Sequence, residues 1–120
     1  MFTPRPADLL AVLAGGFVGT AARQVVLLLG PTAGLAVANL LGCALLGILD
    51  AILGSRWPRL RCFLVVGGIG AFTSWSSLAV QGLSVAGLTI LVFEVPAGVG
   101  AAWLGRRLGT RLVRLGRTRT

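Results

Sequence analysis

The chain has 120 residues, 56% of them hydrophobic, and a mean hydropathy of +0.93. Soluble domains run at about 45–50% apolar and about 25% charged. At 12% charged, this chain cannot furnish a soluble surface, and no polar stretch is long enough to form a second domain. The net charge of +8 comes from 11 arginines, with neither lysine nor histidine. Imidazole metal ligands, proton shuttles and general bases are therefore excluded. The arginines sit at the ends of apolar runs, which speaks for a membrane and against nucleic acid as the partner.

About 20 apolar residues cross a bilayer as a helix. Leu9 to Leu29 forms the first span, stopped at Gly30-Pro31. It continues well past the short apolar core of a signal peptide, so it reads as a membrane helix. Thr32 to Leu53 forms the second span and ends at Gly54-Ser-Arg-Trp-Pro-Arg59. The third runs from about residue 61 to 81 and the fourth from about 82 to 105, leaving a basic tail over 106–120. The expected fold is a single all-α membrane domain of four transmembrane helices over 1–120.

Helix parity puts the N-terminus, the second loop and the tail on one side. Arg5, Arg56, Arg59, Arg61, Arg106, Arg107, Arg111, Arg114, Arg117 and Arg119 all lie there, ten of the 11 arginines. Arginine bias sets orientation, so both termini are expected in the cytoplasm. Trp57 and Trp103 fall near the same interface, as membrane-anchoring aromatics do. Cys43 and Cys62 match no zinc spacing and read as packing residues.

The interior carries a few polar groups that need a reason. Arg23 lies about 14 residues into the first span, roughly 21 Å along the axis at 1.5 Å per residue. It either snorkels or lines an aqueous vestibule, where it attracts anions or locks the fold. Gly15 and Gly19 before it form a small-xxx-small packing face. Asn39 sits at mid-span in the second helix. Its amide serves an interhelical hydrogen bond, worth about 0.6–2 kcal/mol in a membrane, or presents a donor to an anion. Glu94 is the one acidic residue deep in a span. Three roles remain open to it: an ion pair with Arg23, a protonated hydrogen bond, or a place at an interface. Asp8 and Asp50 lie at span ends, where solvent reaches them.

The third span holds Gly67-Gly-Ile-Gly-Ala-Phe-Thr-Ser-Trp-Ser-Ser-Leu78. Glycines and four hydroxyl residues crowd its centre. Such a sequence predicts a helix broken at mid-membrane, between about residues 68 and 77. Backbone freed by a break is tolerated only where protein or a water-filled path surrounds it. Breaks of this kind mark ion sites in several transport folds.

Together these residues carry a family resemblance. Gly15-Gly-Phe-Val-Gly-Thr-Ala-Ala-Arg23 resembles the GGxxGAxxR opening of the Fluc (CrcB) fluoride channels. Val37-Ala-Asn39-Leu-Leu-Gly42 is similar to the family's second-helix VNxxG. Gly70-Ala-Phe-Thr-Ser-Trp-Ser-Ser-Leu78 resembles its third-helix GGxTTFSTF, and Ala101-Ala-Trp-Leu-Gly105 the end of its fourth helix. The motifs span nearly the whole chain in the family's order.

The resemblance implies an antiparallel dimer with two fluoride paths in the cytoplasmic membrane of a bacterium or archaeon. Its function would be passive fluoride export that limits toxicity, with no enzymatic step. It also implies a structural Na⁺ on the dimer axis, held by the backbone carbonyls of Gly70 and Thr73. The fluoride path would use Asn39, Thr73, Ser74, Trp75, Ser76, Ser77 and Leu78, with Arg23 in a vestibule or structural role. Asn39, Thr73, Ser74, Ser76 and Ser77 supply N–H or O–H donors that replace water around fluoride. The family's two pore phenylalanines stand here as Trp75 and Leu78, and its downstream Glu as Gln81. Trp75 keeps a positive ring edge and adds an N–H; Leu78 offers neither.

Two rival readings stand beside the channel. A small four-helix drug or cation antiporter needs a carboxylate deep in the first span, and none follows Asp8 there. A non-conducting partner subunit of a fluoride channel accords with Leu78. The arginine bias bears on assembly. A sequence that inserts in one orientation cannot build an antiparallel homodimer, so the expected partner is a homologous chain of opposite orientation.

Overall fold

The computed structural model describes residues 4–118. Arg119 and Thr120, the end of the expected basic tail, lie outside the described residues. The elements in chain order are α1 (Pro6–Leu27), α2 (Pro31–Leu53), α3 (Pro58–Arg61), a π-helical segment (Cys62–Ile69), α4 (Gly70–Phe72), α5 (Trp75–Gln81) and α6 (Val85–Arg117). The stretch Pro58–Gln81 forms the third of four helices long and apolar enough to cross a membrane.

Local chemistry accounts for the starts. Proline stands in the first turn of α1, α2 and α3, where its fixed φ suits a helix and its missing N–H costs nothing. Ser84 caps α6 by accepting the Gly87 amide at 3.0 Å, the ordinary role of a serine N-cap. Several bounds differ from the sequence expectation, and two of them have a clear physical reason. The first span starts at Pro6, because Pro6 and Asp8 favour a helical first turn more than their polarity opposes it. The fourth helix does not stop at Gly105 but continues to Arg117. Hydropathy marks where lipid ends, whereas the backbone ladder of an arginine- and leucine-rich segment goes on in water.

The helices pair as α2 with α6 and α1 with the third span. Lipid tails are as apolar as leucine, so membrane helices associate through close packing of small residues. Here the approach is near enough to demand glycine. A Cβ on Gly19 of α1 would run into the Gly68 carbonyl, and one on Gly47 of α2 into the Ala102 carbonyl. Both obstacles are backbone, which cannot swing aside. Leu35, Ala38, Leu53, Ile69 and Leu78 are buried between the helices. Large side chains such as Leu13, Phe17, Leu45 and Phe93 point outward.

The third span breaks within the expected window. Thr73 (φ −83°, ψ 157°) and Ser74 (φ −147°, ψ 99°) are both extended. Two non-helical residues separate the π and α segments on one side from α5 on the other. The π segment before the break packs Gly67 and Gly68 onto α1.

At the end that carries both termini, ion pairs tie the spans together. Asp50 of α2 meets Arg61 at 2.8 Å and Arg106 of α6 at 3.8 Å, and Asp8 meets Arg59 at 3.8 Å. The two span-end carboxylates are thus partly solvated and also paired. All three contacts are half-exposed, so each is worth at most about 1 kcal/mol.

Candidate functional site

The break is held by a side chain from another helix. In a continuous helix the Ser74 amide would bond the Gly70 carbonyl, four residues back. It donates instead to Asn39 Oδ1 of α2, at 2.9 Å. Likewise, the Ser77 amide would bond the Thr73 carbonyl; it donates to Ser74 Oγ at 3.3 Å, capping α5. The Gly70 and Thr73 carbonyls have both lost their helical partners. These are two oxygens of the kind that binds a hard cation.

Asn39 is fixed at both ends. While its oxygen accepts from Ser74, its Nδ2 donates to Glu94 Oε1 of α6 at 3.0 Å. Asn39, Ser74 and Glu94 are each less than a tenth exposed. Buried polar groups are costly unless paired, and these pair with one another. Glu94, for which three roles were open, is Asn39's hydrogen-bond partner. Sequence reasoning did not find this pairing. The available signal was that each is a rare deep polar residue in its span, and each needs a partner.

From Ser74 the hydrogen bonds continue through hydroxyls. Ser74 Oγ donates to Ser77 Oγ at 2.8 Å and lies 3.4 Å from Ser76 Oγ. Thr73 turns the other way and donates to the Ile69 carbonyl at 3.0 Å.

Two clefts flank this series. One, of about 350 Å³, is lined by Asn39, Thr73, Trp75, Leu78 and Glu94, among apolar residues. The other, of about 360 Å³, is lined by Arg23, Leu27, Pro31, Leu35, Ser77 and Gln81. Glu94, Asn39, Ser74 and Ser77 thus form one hydrogen-bonded line running from the first cleft to the second. Arg23 does not meet Glu94. Its Nε is buried and is the one buried side-chain polar atom without a hydrogen-bond partner among the described residues.

The structure brings together most residues singled out by sequence. Asn39, Ser74, Ser76 and Ser77 are linked by hydrogen bonds, and Thr73 borders the first cleft. The two positions matching the family's phenylalanines both line the first cleft, Trp75 two-thirds exposed and Leu78 buried. Gln81, noted only as a departure from the family, reaches the Pro31 carbonyl at 3.4 Å and closes the second cleft beside Arg23.

Four spanning helices, with a broken third span stitched to its neighbours by interior polar groups, define a multi-pass membrane transport protein. The residues that make the break and the line lie within the stretch 10–106, which matches the family described as CrcB-like protein, Camphor Resistance (CrcB). The chain belongs to that family. It is 30% identical over 115 residues to a protein of Cereibacter sphaeroides, covering 90% of this chain and 88% of the relative. It is 35% identical over 112 residues to one of Ruegeria pomeroyi (83% and 88% covered) and 37% identical over 115 residues to one of Deinococcus radiodurans (82% and 91% covered). Each of the three is named a fluoride-specific ion channel, FluC.

Proposed function

We propose that this chain is a subunit of a fluoride channel that lets fluoride leave the cell passively and so limits its toxicity. One observation carries the reading: the Glu94–Asn39–Ser74–Ser77 line joins two clefts on either side of the helix break. Fluoride is a small, strongly hydrated acceptor, and it leaves water only for a succession of N–H and O–H donors. Asn39 keeps a second amide hydrogen beyond the one given to Glu94. Thr73, Ser74, Ser76 and Ser77 add hydroxyls that rotate to suit. Trp75 presents a ring edge and an indole N–H, while Leu78 contributes shape alone. Arg23, with its unpartnered Nε, draws anions into the second cleft. Glu94 and Ser74 hold Asn39 in place, so its free N–H is oriented before the ion arrives.

The two freed carbonyls suit a sodium ion. Unwound backbone oxygens are the usual Na⁺ ligands in membrane transport folds, and those of Gly70 and Thr73 are released by the same two diverted amides. Gly70 is exposed on the single chain and Thr73 half-buried, which leaves both reachable from a second subunit. When bound, Na⁺ would supply positive charge at the break and tie two subunits together.

The assembly in this reading is an antiparallel dimer in the cytoplasmic membrane, with both termini of this chain inside. Ten arginines stand on the terminal side against Arg23 within the first span, a bias that commits insertion to one orientation. The second subunit is therefore a homologous chain of opposite bias. Such a partner also restores the aromatic edge absent at Leu78.

Fluoride efflux from liposomes tests the function. The chain co-reconstituted with an oppositely biased homologue should release fluoride rapidly under an applied potential, with no dependence on a proton gradient. Proton-coupled efflux, or no efflux, would overturn it. Reporters fused after Thr120 test the assembly. Signal from one side only is expected. Comparable signal from both sides, or brisk fluoride efflux by this chain alone, would replace the paired assembly with a homodimer.

A further inference from the structure

The last third of α6 exceeds what a membrane span requires. Its 33 residues measure about 50 Å at 1.5 Å per residue, against a hydrocarbon core of about 30 Å. The Asp50–Arg106 contact marks where α6 leaves the hydrocarbon. Beyond it the helix carries Arg107, Arg111 and Arg114, all exposed. At about 100° per residue these three fall within an arc of about 60°, on the same face as Trp103. Leu104, Leu108, Leu112 and Leu115 occupy the adjoining face and are also exposed.

Two observations say what this surface meets. First, its charge is unanswered among the described residues. No acidic residue follows Glu94, and Asp8 and Asp50 are engaged by Arg59, Arg61 and Arg106. Among the described residues no carboxylate lies within ion-pair reach of Arg107, Arg111 or Arg114. Second, the side chains lean toward the membrane. Helical Cα–Cβ bonds tilt to the N-terminus, which on a helix leaving the bilayer at its C-terminal end is the lipid side. Arg107 shows this directly, with its guanidinium 3.8 Å from the centre of the Trp103 ring, one turn back.

We infer that the Trp103–Arg107–Arg111–Arg114 face of α6 is a docking surface for anionic phospholipid headgroups of the leaflet on the side of the chain termini. Arg107 and Arg111 reach the phosphate layer, and Arg114 reaches back toward it along the helix. The guanidinium fork matches phosphate oxygens in a bidentate way. The lean of these side chains toward the bilayer, shown by the Arg107–Trp103 contact, favours lipid over a soluble polyanion. The inference does not depend on which ion the chain conducts.

The test uses the full chain, in the assembly in which it purifies, in mixed micelles of phosphatidylglycerol and phosphatidylcholine. Native mass spectrometry counts the lipids retained. Each arginine near an anionic surface contributes roughly a fivefold preference, so with three of them the wild type should retain phosphatidylglycerol over phosphatidylcholine by about a hundredfold. Combining Arg107→Gln, Arg111→Gln and Arg114→Gln should abolish most of that preference. Combining Arg5→Gln and Arg56→Gln, which removes charge on the same side outside this face, should cost clearly less of the preference per arginine removed. Unchanged thermal unfolding of the triple variant in phosphatidylcholine checks that it is folded. Equal retention of the two lipids by the wild type would overturn the inference, as would equal losses per arginine in the triple and control variants. Displacement of the lipid by an acidic peptide at micromolar concentration would also overturn it, assigning the face to a soluble partner.

Discussion

Asn39 of α2 and Glu94 of α6, 55 positions apart, share a hydrogen bond of 3.0 Å between two buried side chains. That bond fixes the rotation of one spanning helix against another. It also leaves the Asn39 oxygen aimed at the Ser74 amide, where it replaces a backbone carbonyl and keeps the third span open.

Asn39→Asp should therefore cut fluoride flux by tenfold or more. The new carboxylate would still accept from Ser74, so the break survives. It would face Glu94 at hydrogen-bond distance, however, where the new oxygen has no hydrogen to give and the two carboxylates repel. It also removes an N–H that fluoride needs. Efflux from liposomes measures this, and unchanged flux would reduce Asn39 to a helix-packing residue.

Glu94→Gln and Glu94→Leu should separate. Glutamine retains an oxygen that accepts from Asn39 Nδ2, so thermal unfolding in detergent should shift little. Leucine leaves that buried N–H unpaired, a loss of about 1–3 kcal/mol, and should lower the unfolding temperature by several degrees. Equal stability of the two variants would mean that the pair contributes nothing to the fold.

Ser74→Ala removes the cap of α5 and the hydroxyl that takes the Ser77 amide. A lost serine N-cap costs about 1 kcal/mol. Fluoride flux should fall further than that figure suggests, because the link from Asn39 to Ser77 is interrupted. Ser76→Ala, whose hydroxyl lies 3.4 Å from Ser74 Oγ, should have the smaller effect on stability. The comparison is read by unfolding and efflux in parallel.

Gly19→Ala and Gly47→Ala should be poorly tolerated, while Gly116→Ala should be neutral. The first two place a methyl against backbone of a neighbouring helix, and the third meets nothing within 4 Å. Forced overpacking costs about 1–3 kcal/mol and often more where backbone must move. Gel filtration and thermal unfolding of the three variants decide it; equal behaviour would contradict the close helix contacts.

Much of this protein is legible without a structure. A run of apolar residues has one stable fate in a bilayer, so four spans follow from composition along the chain. The clustering of glycines and hydroxyls at residues 67–77 foretells a break, since such residues weaken a helix wherever it occurs. These are local properties: each residue acts through its own propensity and its immediate neighbours.

Other features are decided by helix rotation and depth, which no local pattern encodes. Glu94 had three open roles until α6 was set beside α2 with Asn39 at its level. The freeing of the Gly70 and Thr73 carbonyls depends on Asn39 and Ser74 intercepting two particular amides, not on the glycines alone. Trp75 and Leu78, three residues apart, line the same cleft at different depths, Leu78 buried and Trp75 two-thirds exposed, because the rotation of α5 against its neighbours turns only Leu78 into the bundle. The fourth helix continues past the membrane because backbone hydrogen bonds, unlike hydropathy, do not register where lipid ends.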